Sequence, residues 1–117
     1  MKYLCLIYSD EHRIADLPEQ ESKSFLGEYM AFTDSIRKSG HLVAAERLQP
    51  THTATTIRSR NGKVSTTDGP FAETKEQLGG FYMIDAKDLD DAISVASRIP
   101  GTRVGSIEVR PIWELSA

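Results

Sequence analysis

An α+β fold of two βαβ halves joined through a β-hairpin is predicted by three observations. Apolar side chains fill strand-length runs at residues 1–9, 42–48, 79–86 and 104–115. Two stretches between these runs carry apolar residues at helical spacing. An Asn61-Gly62 pair sits between two Thr-rich runs, the strongest short hairpin signal because both positions tolerate the positive φ of a type I′ turn. The order β-α-β-(hairpin)-β-α-β gives a ferredoxin-like plait, with both helices on one side of a four-stranded sheet.

The first strand has Tyr3, Cys5 and Ile7 on one parity and Leu4, Leu6 and Tyr8 on the other. Period-2 geometry puts these sets on opposite faces, so both faces need cover. Residues 9–18 read as a polar connection, and Asp16 as the N-cap of a helix with Pro18 in its first turn and Glu19 three residues on. Phe25, Tyr29, Phe32 and Ile36 form its apolar stripe, with Leu26, Met30 and Thr33 beside them. This aromatic stripe reads as core packing. Arg37 and Lys38 suit its C-terminal dipole, and Ser39-Gly40 ends it.

The second strand closes at Gln49-Pro50, and the hairpin arms 53–60 and 63–67 read as solvent-facing and peripheral. The next strand again has two apolar faces, Phe81 and Met83 against Tyr82 and Ile84. Asp88 caps a second helix with a predicted stripe of Leu89, Ala92, Ile93, Ala96 and Ile99, stopped by Pro100-Gly101. Ile107, Val109 and Trp113 are expected to share one face of the last strand. Two helices cover one sheet face only, and each large side chain left exposed forgoes about 1.5–3 kcal/mol. The second face is therefore expected to pack on a copy of itself, in a two-fold homodimer whose sheets enclose a cavity.

A chain of 117 residues with 39% hydrophobic and 26% charged residues reads as a single globular domain, residues 1–117. The net charge of −3 argues against a nucleic-acid partner. The lone Cys5 rules out an internal disulfide and fits a reducing compartment. No apolar run reaches a membrane span, and the apolar start is too short for a signal peptide, so the expectation is cytoplasmic.

Chemistry concentrates in Asp68-Gly69-Pro70-Phe71-Ala72-Glu73-Thr74-Lys75-Glu76-Gln77-Leu78-Gly79-Gly80-Phe81-Tyr82. Asp68 has two readings. Either it begins a turn by accepting backbone N–H groups, or it sits at the mouth of the dimer cavity as a general acid or base. Lys75 is a candidate for holding an anionic substrate or polarising a carbonyl. Glu73 is either solvated or substrate-facing, and Tyr82 is either core or cavity wall. Gly79-Gly80 reads as close backbone packing or a bulge rather than a phosphate cradle. His12, His41 and His52 share no metal-ligand spacing, and His52 is the candidate to meet Asp68. Glu46 and Arg47 either line the cavity or pair with each other. No metal, dinucleotide or other cofactor pattern is present.

Thr67 through Glu76, followed by Gly79-Gly80-Phe81-Tyr82, closely resembles the signature of the DGPF family within the YCII-related (YciI-like) superfamily. The similarity extends to residues 46–50, 88–92 and 106–111. The resemblance implies a dimeric α/β barrel on a ferredoxin-like fold, in a family whose function is largely uncharacterised. It also implies a link to sigma-factor systems for some members, and for the wider superfamily enzymes that use a His-Asp pair, with similarity to muconolactone isomerase. Asp68 is the carry-over for the aspartate, while the histidine has no counterpart in the first helix. Two functions follow as expectations. One is a small cofactor-independent enzyme of the lyase, isomerase or hydrolase kind, using Asp68, Lys75 and His52. The other is a non-catalytic dimeric module that binds a small ligand or serves regulation.

Overall fold

The computed structural model describes residues 1–115. Strand β1 (Lys2–Ser9) leads through a short helix α1 (Glu11–Ala15) into the long α2 (Glu19–Lys38) and β2 (Leu42–Arg47). A 3-10 turn at Thr51–Thr53 precedes the hairpin β3 (Thr55–Arg60) and β4 (Lys63–Asp68). Then come β5 (Gln77–Asp85), α3 (Leu89–Ala96), a second 3-10 turn at Pro100–Arg103, and β6 (Gly105–Pro111).

The four long strands form one antiparallel sheet in the order β2-β5-β1-β6, and β3-β4 pair separately. The ferredoxin-like plait with an inserted hairpin is thus the observed fold. Register puts Tyr3 opposite Ile84 and Pro111, and Cys5 opposite Tyr82 and Val109. Those side chains share the face that both helices cover: Tyr3, Cys5, Tyr82 and Ile84 are buried with Phe32 and Ile36 of α2 and Ala92, Val95 and Ala96 of α3. Phe32 meets Tyr82 edge-on at 5.1 Å between ring centroids, and the Arg98 guanidinium lies over the Phe32 ring at 5.6 Å. The His41–Asp91 pair at 3.2 Å ties the loop after α2 to α3.

Several local expectations are corrected. The connection at residues 9–18 contains α1, capped by Asp10, whose carboxylate accepts the His12 N–H at 3.0 Å. Asp16 ends that helix rather than starting the next, and Pro18 occupies the N-cap of α2. In α3 the buried side chains are Ala92, Val95 and Ala96, with Ile99 just beyond, while Leu89 and Ile93 are half exposed. The helix is only two turns long, so its contact with the sheet is narrower than the predicted stripe. The last strand stops at Pro111, although the Ile112 N–H still donates to the Lys2 carbonyl at 2.9 Å, and Trp113 is 89% exposed.

Gly79-Gly80 does mark a bulge: β1 registers Ile7 with Gly80 but Tyr8 with Leu78. A Cβ on Gly80 would lie 2.8 Å from the Glu46 carbonyl oxygen, so only glycine permits the close approach of β2. The Asn61-Gly62 turn has φ of 53° and 76°, the positive values a type I′ hairpin needs. The opposite sheet face carries Leu4, Leu6, Tyr8, Phe81 and Met83, each partly exposed.

Candidate functional site

A cavity of about 790 Å³ lies on the helix side of the sheet, between α2, the α1 segment and the β2–β5 edge. It forms because α2 packs down on the sheet at Phe32 and Ile36 but not at its N-terminal half. Leu26 in that half and Met30 just beyond it are 52% and 66% exposed, and both line the cavity. Phe25 and Tyr29 of the aromatic stripe, read as core packing, line the cavity as well.

Polar groups are few and specifically placed. Tyr82 Oη lies 2.6 Å from Thr33 Oγ1, which donates to the Tyr29 carbonyl at 2.8 Å. Since the single Thr33 proton is committed to that carbonyl, Tyr82 must donate to Thr33, and its own oxygen keeps acceptor capacity. Burial pushes the Tyr29 hydroxyl up to about 12, and burial raises Tyr82 as well. Both stay neutral hydroxyls at physiological pH. The Tyr29 oxygen fits only because residue 101 is glycine, where a Cβ would lie 2.6 Å from it.

Glu11 is the carboxylate on the cavity wall that sequence reasoning did not single out. Its backbone N–H donates to Gln77 Oε1 at 3.0 Å, and its carboxylate accepts the Thr51 N–H at 3.1 Å and the Thr51 hydroxyl. The Thr51 hydroxyl holds its pKa below the ordinary value, with His12 and His52 adding weaker attraction. No sequence signal for this role exists in Glu11 alone, because the contact joins two short irregular segments 40 residues apart.

The sequence-derived candidates divide into two groups. Arg47 and Tyr82 line the cavity. Their register explains it: Ala45 opposes Tyr82 and Arg47 opposes Gly80 on the helix-covered face. Glu46 lines the cavity as well, opposite Phe81, and makes no ion pair with Arg47. Asp68, Glu73, Lys75 and His52 do not line this cavity. Asp68 ends β4 opposite Thr55, exposed, on the same hairpin face as Ile57 and Val64. Among the described residues its carboxylate accepts no hydrogen bond from the turn that follows. That turn is held instead by the Gly69 N–H to the Ala54 carbonyl at 2.7 Å and the Thr56 hydroxyl to the Gly69 carbonyl at 2.8 Å. Glu73 and Lys75 lie exposed in the segment after it, and His52 in the 3-10 turn, with no bond to Asp68 among the described residues. No group of His, Cys, Asp and Glu suited to a metal ion occurs among the described residues. No helix among them is long and apolar enough to cross a membrane.

Comparison with known proteins agrees with this architecture. A 5-chloro-2-hydroxyhydroquinone dehydrochlorinase from Burkholderia phenoliruptrix AC1100, solved in complex with 2,5-dihydroxybenzoquinone, superposes with a TM-score of 0.56. The match covers 99% of this chain and 96% of that one at 13% identity, a likeness of fold. An uncharacterized protein of Rhizobium meliloti (strain 1021) is 39% identical over 114 residues, covering 96% of this chain and 92% of that protein. The YCII-related domain matches residues 1–116. With nearly its whole length matched and a relative at that identity, the chain belongs to the YCII-related domain family.

Proposed function

We propose that this protein is a homodimeric, cofactor-independent enzyme that acts by proton transfer on a small organic molecule, in a lyase, isomerase or hydrolase type of reaction. The observation that carries the reading is the cavity of about 790 Å³, apolar for most of its wall and holding a tethered carboxylate, a guanidinium and two tyrosine hydroxyls. A volume in the range of about 300–1,000 Å³ with a few convergent polar groups is what small-molecule sites require. The dehydrochlorinase of the same fold holds a single-ring quinone, a ligand of a size this cavity accommodates.

Two carboxylates are available for proton transfer. Glu11 is in the wall and ionised at neutral pH, but its lowered pKa and its bonds from Thr51 make it a weak base. Asp68, with Lys75 and His52 as its proposed helpers, belongs to the hairpin arm and does not reach the cavity of its own subunit. In this reading it serves the partner's cavity. Ile57 and Val64, 67% and 71% exposed beside it on one face, are the apolar contacts that would seat the arm there.

A thermal-shift screen of small organic acids, phenols and quinones against wild type and Asp68→Asn, with hits followed by NMR for conversion, tests the proposal. A hit should bind both proteins and be converted by wild type, with kcat lower by about 10²–10⁴-fold in the variant. Equal binding with no conversion by either protein rejects the enzyme in favour of a second reading, a non-catalytic ligand-binding module linked to regulation. That second reading is supported by one observation: among the described residues, no hydrogen bond or ion pair joins His52, Asp68 and Lys75 into a working set.

A further inference from the structure

Resting on the reading of the α2 cavity as a small-molecule site, we infer that Arg47 is its anion-binding end and that the ligand is a small organic anion. Such a molecule has an apolar body and one carboxylate or phenolate group.

Arg47 differs from the other arginines near the core. Arg37 pairs with Asp34 at 3.6 Å, Arg103 with Glu28 at 2.6 Å, and Arg110 with Glu108, while Arg98 donates to Ser35 at 3.0 Å. Arg47 has no ion pair or side-chain hydrogen bond among the described residues, although it faces a cavity. The wall carboxylate of Glu11 is already occupied by Thr51, and Glu46, which also lines the cavity, makes no ion pair with Arg47. A guanidinium in such a position has its planar donor fork free for a carboxylate or phenolate.

The neighbours of Arg47 complete the recognition. Tyr29 lines the same cavity, with its hydroxyl oxygen against Gly101. The neutral Tyr29 hydroxyl has a proton to donate to an anion beside the guanidinium. The Tyr82 oxygen, by contrast, is left as an acceptor, matched to a hydroxyl on the ligand. Leu26 and Met30 supply an exposed apolar wall for the body of the molecule.

Benzoate and benzyl alcohol, alike in shape and differing in charge, are the probes, titrated into wild type, Arg47→Met and Tyr29→Phe by NMR chemical-shift perturbation. Benzoate should bind wild type at least about ten-fold more tightly than benzyl alcohol, a difference of about 1.4 kcal/mol. Arg47→Met should abolish that preference while leaving benzyl alcohol affinity unchanged, which also reports an intact cavity. Tyr29→Phe should reduce benzoate affinity by a smaller factor. Equal affinities in wild type, a preference that survives Arg47→Met, or no binding of either probe overturns the inference. Conversion does not enter this readout. A non-catalytic binder of anions passes here and fails the conversion assay, whereas an enzyme for uncharged substrates does the reverse.

Discussion

The Cys5 thiol sits at the centre of β1, fully enclosed between the sheet and the helices, with Tyr82 and Val109 across from it on the two neighbouring strands. Burial pushes its pKa from an ordinary 9.0 to about 11, so the thiolate is strongly disfavoured and the side chain acts as a small hydrophobe. The folded state therefore holds this proton more tightly than the unfolded chain does. Its contribution is fully present below pH 9 and is lost as pH rises from about 9 to about 11. In urea melts across that range, wild type should lose about 2–3 kcal/mol relative to Cys5→Ala, which lacks the titration. Parallel pH profiles for the two proteins would refute this account. The burial of Cys5 was legible because alternation along one strand and a lack of charged neighbours are local facts. Tyr29 and Thr33 were harder. Helical spacing shows which side of α2 is apolar, but not that its first half stands off the sheet and turns that side into cavity wall. Asp68 was visible as a candidate because of its dense polar setting, yet no local pattern says which cavity an arm serves.

At the scale of elements, long periodic segments were readable and short ones were not. Strands β1 and β5, helix α2 and the Asn61-Gly62 hairpin follow from periodicity and turn chemistry. Helix α1 spans only Glu11–Ala15, too few residues to display a repeating face, and its place depends on Gln77 and Thr51, which are distant in sequence. That is why the carboxylate of Glu11 was missed with it. Helix α2 also carries a correctable weakness. Gly27 lies in its interior with no atom within 4 Å of where a Cβ would stand, so the residue costs backbone entropy without enabling a close contact. Gly27→Ala should raise stability by about 0.5–1 kcal/mol in chemical denaturation. A loss of stability would mean that α2 meets a further surface at this position.

The whole molecule is a plate, 48 × 47 × 18 Å, with a radius of gyration of 16.3 Å. A compact chain of this length has about 13 Å. The excess belongs to the thin two-layer body and the projecting β3–β4 arm. One broad face of the plate is the uncovered side of the sheet, where Leu6 lies directly opposite Phe81 and Leu4 opposite Met83. Lys2 and Asp85 border that patch at one end, and Glu108 and Arg110 along β6. An apolar centre with a charged rim is the anatomy of a protein–protein interface. Four strands about 4.8 Å apart and eight residues long at about 3.3 Å each give a face of roughly 500 Å² in projection. Side-chain relief and the apolar side of the arm increase this toward the roughly 800 Å² per partner typical of a stable complex. A second copy satisfies the geometry because a two-fold axis brings the same patch against itself. Light scattering after size exclusion at micromolar concentration should therefore give roughly 26 kDa, twice the 13.0 kDa of one chain. Leu6→Asp places a carboxylate in both halves of such an interface, and should yield a monomer that keeps its far-ultraviolet circular dichroism because the residue faces away from the helices. A wild-type monomer at that concentration would remove the dimer, and with it the route by which Asp68 reaches a cavity. The Arg47 site would survive that result, since every group it uses comes from one subunit.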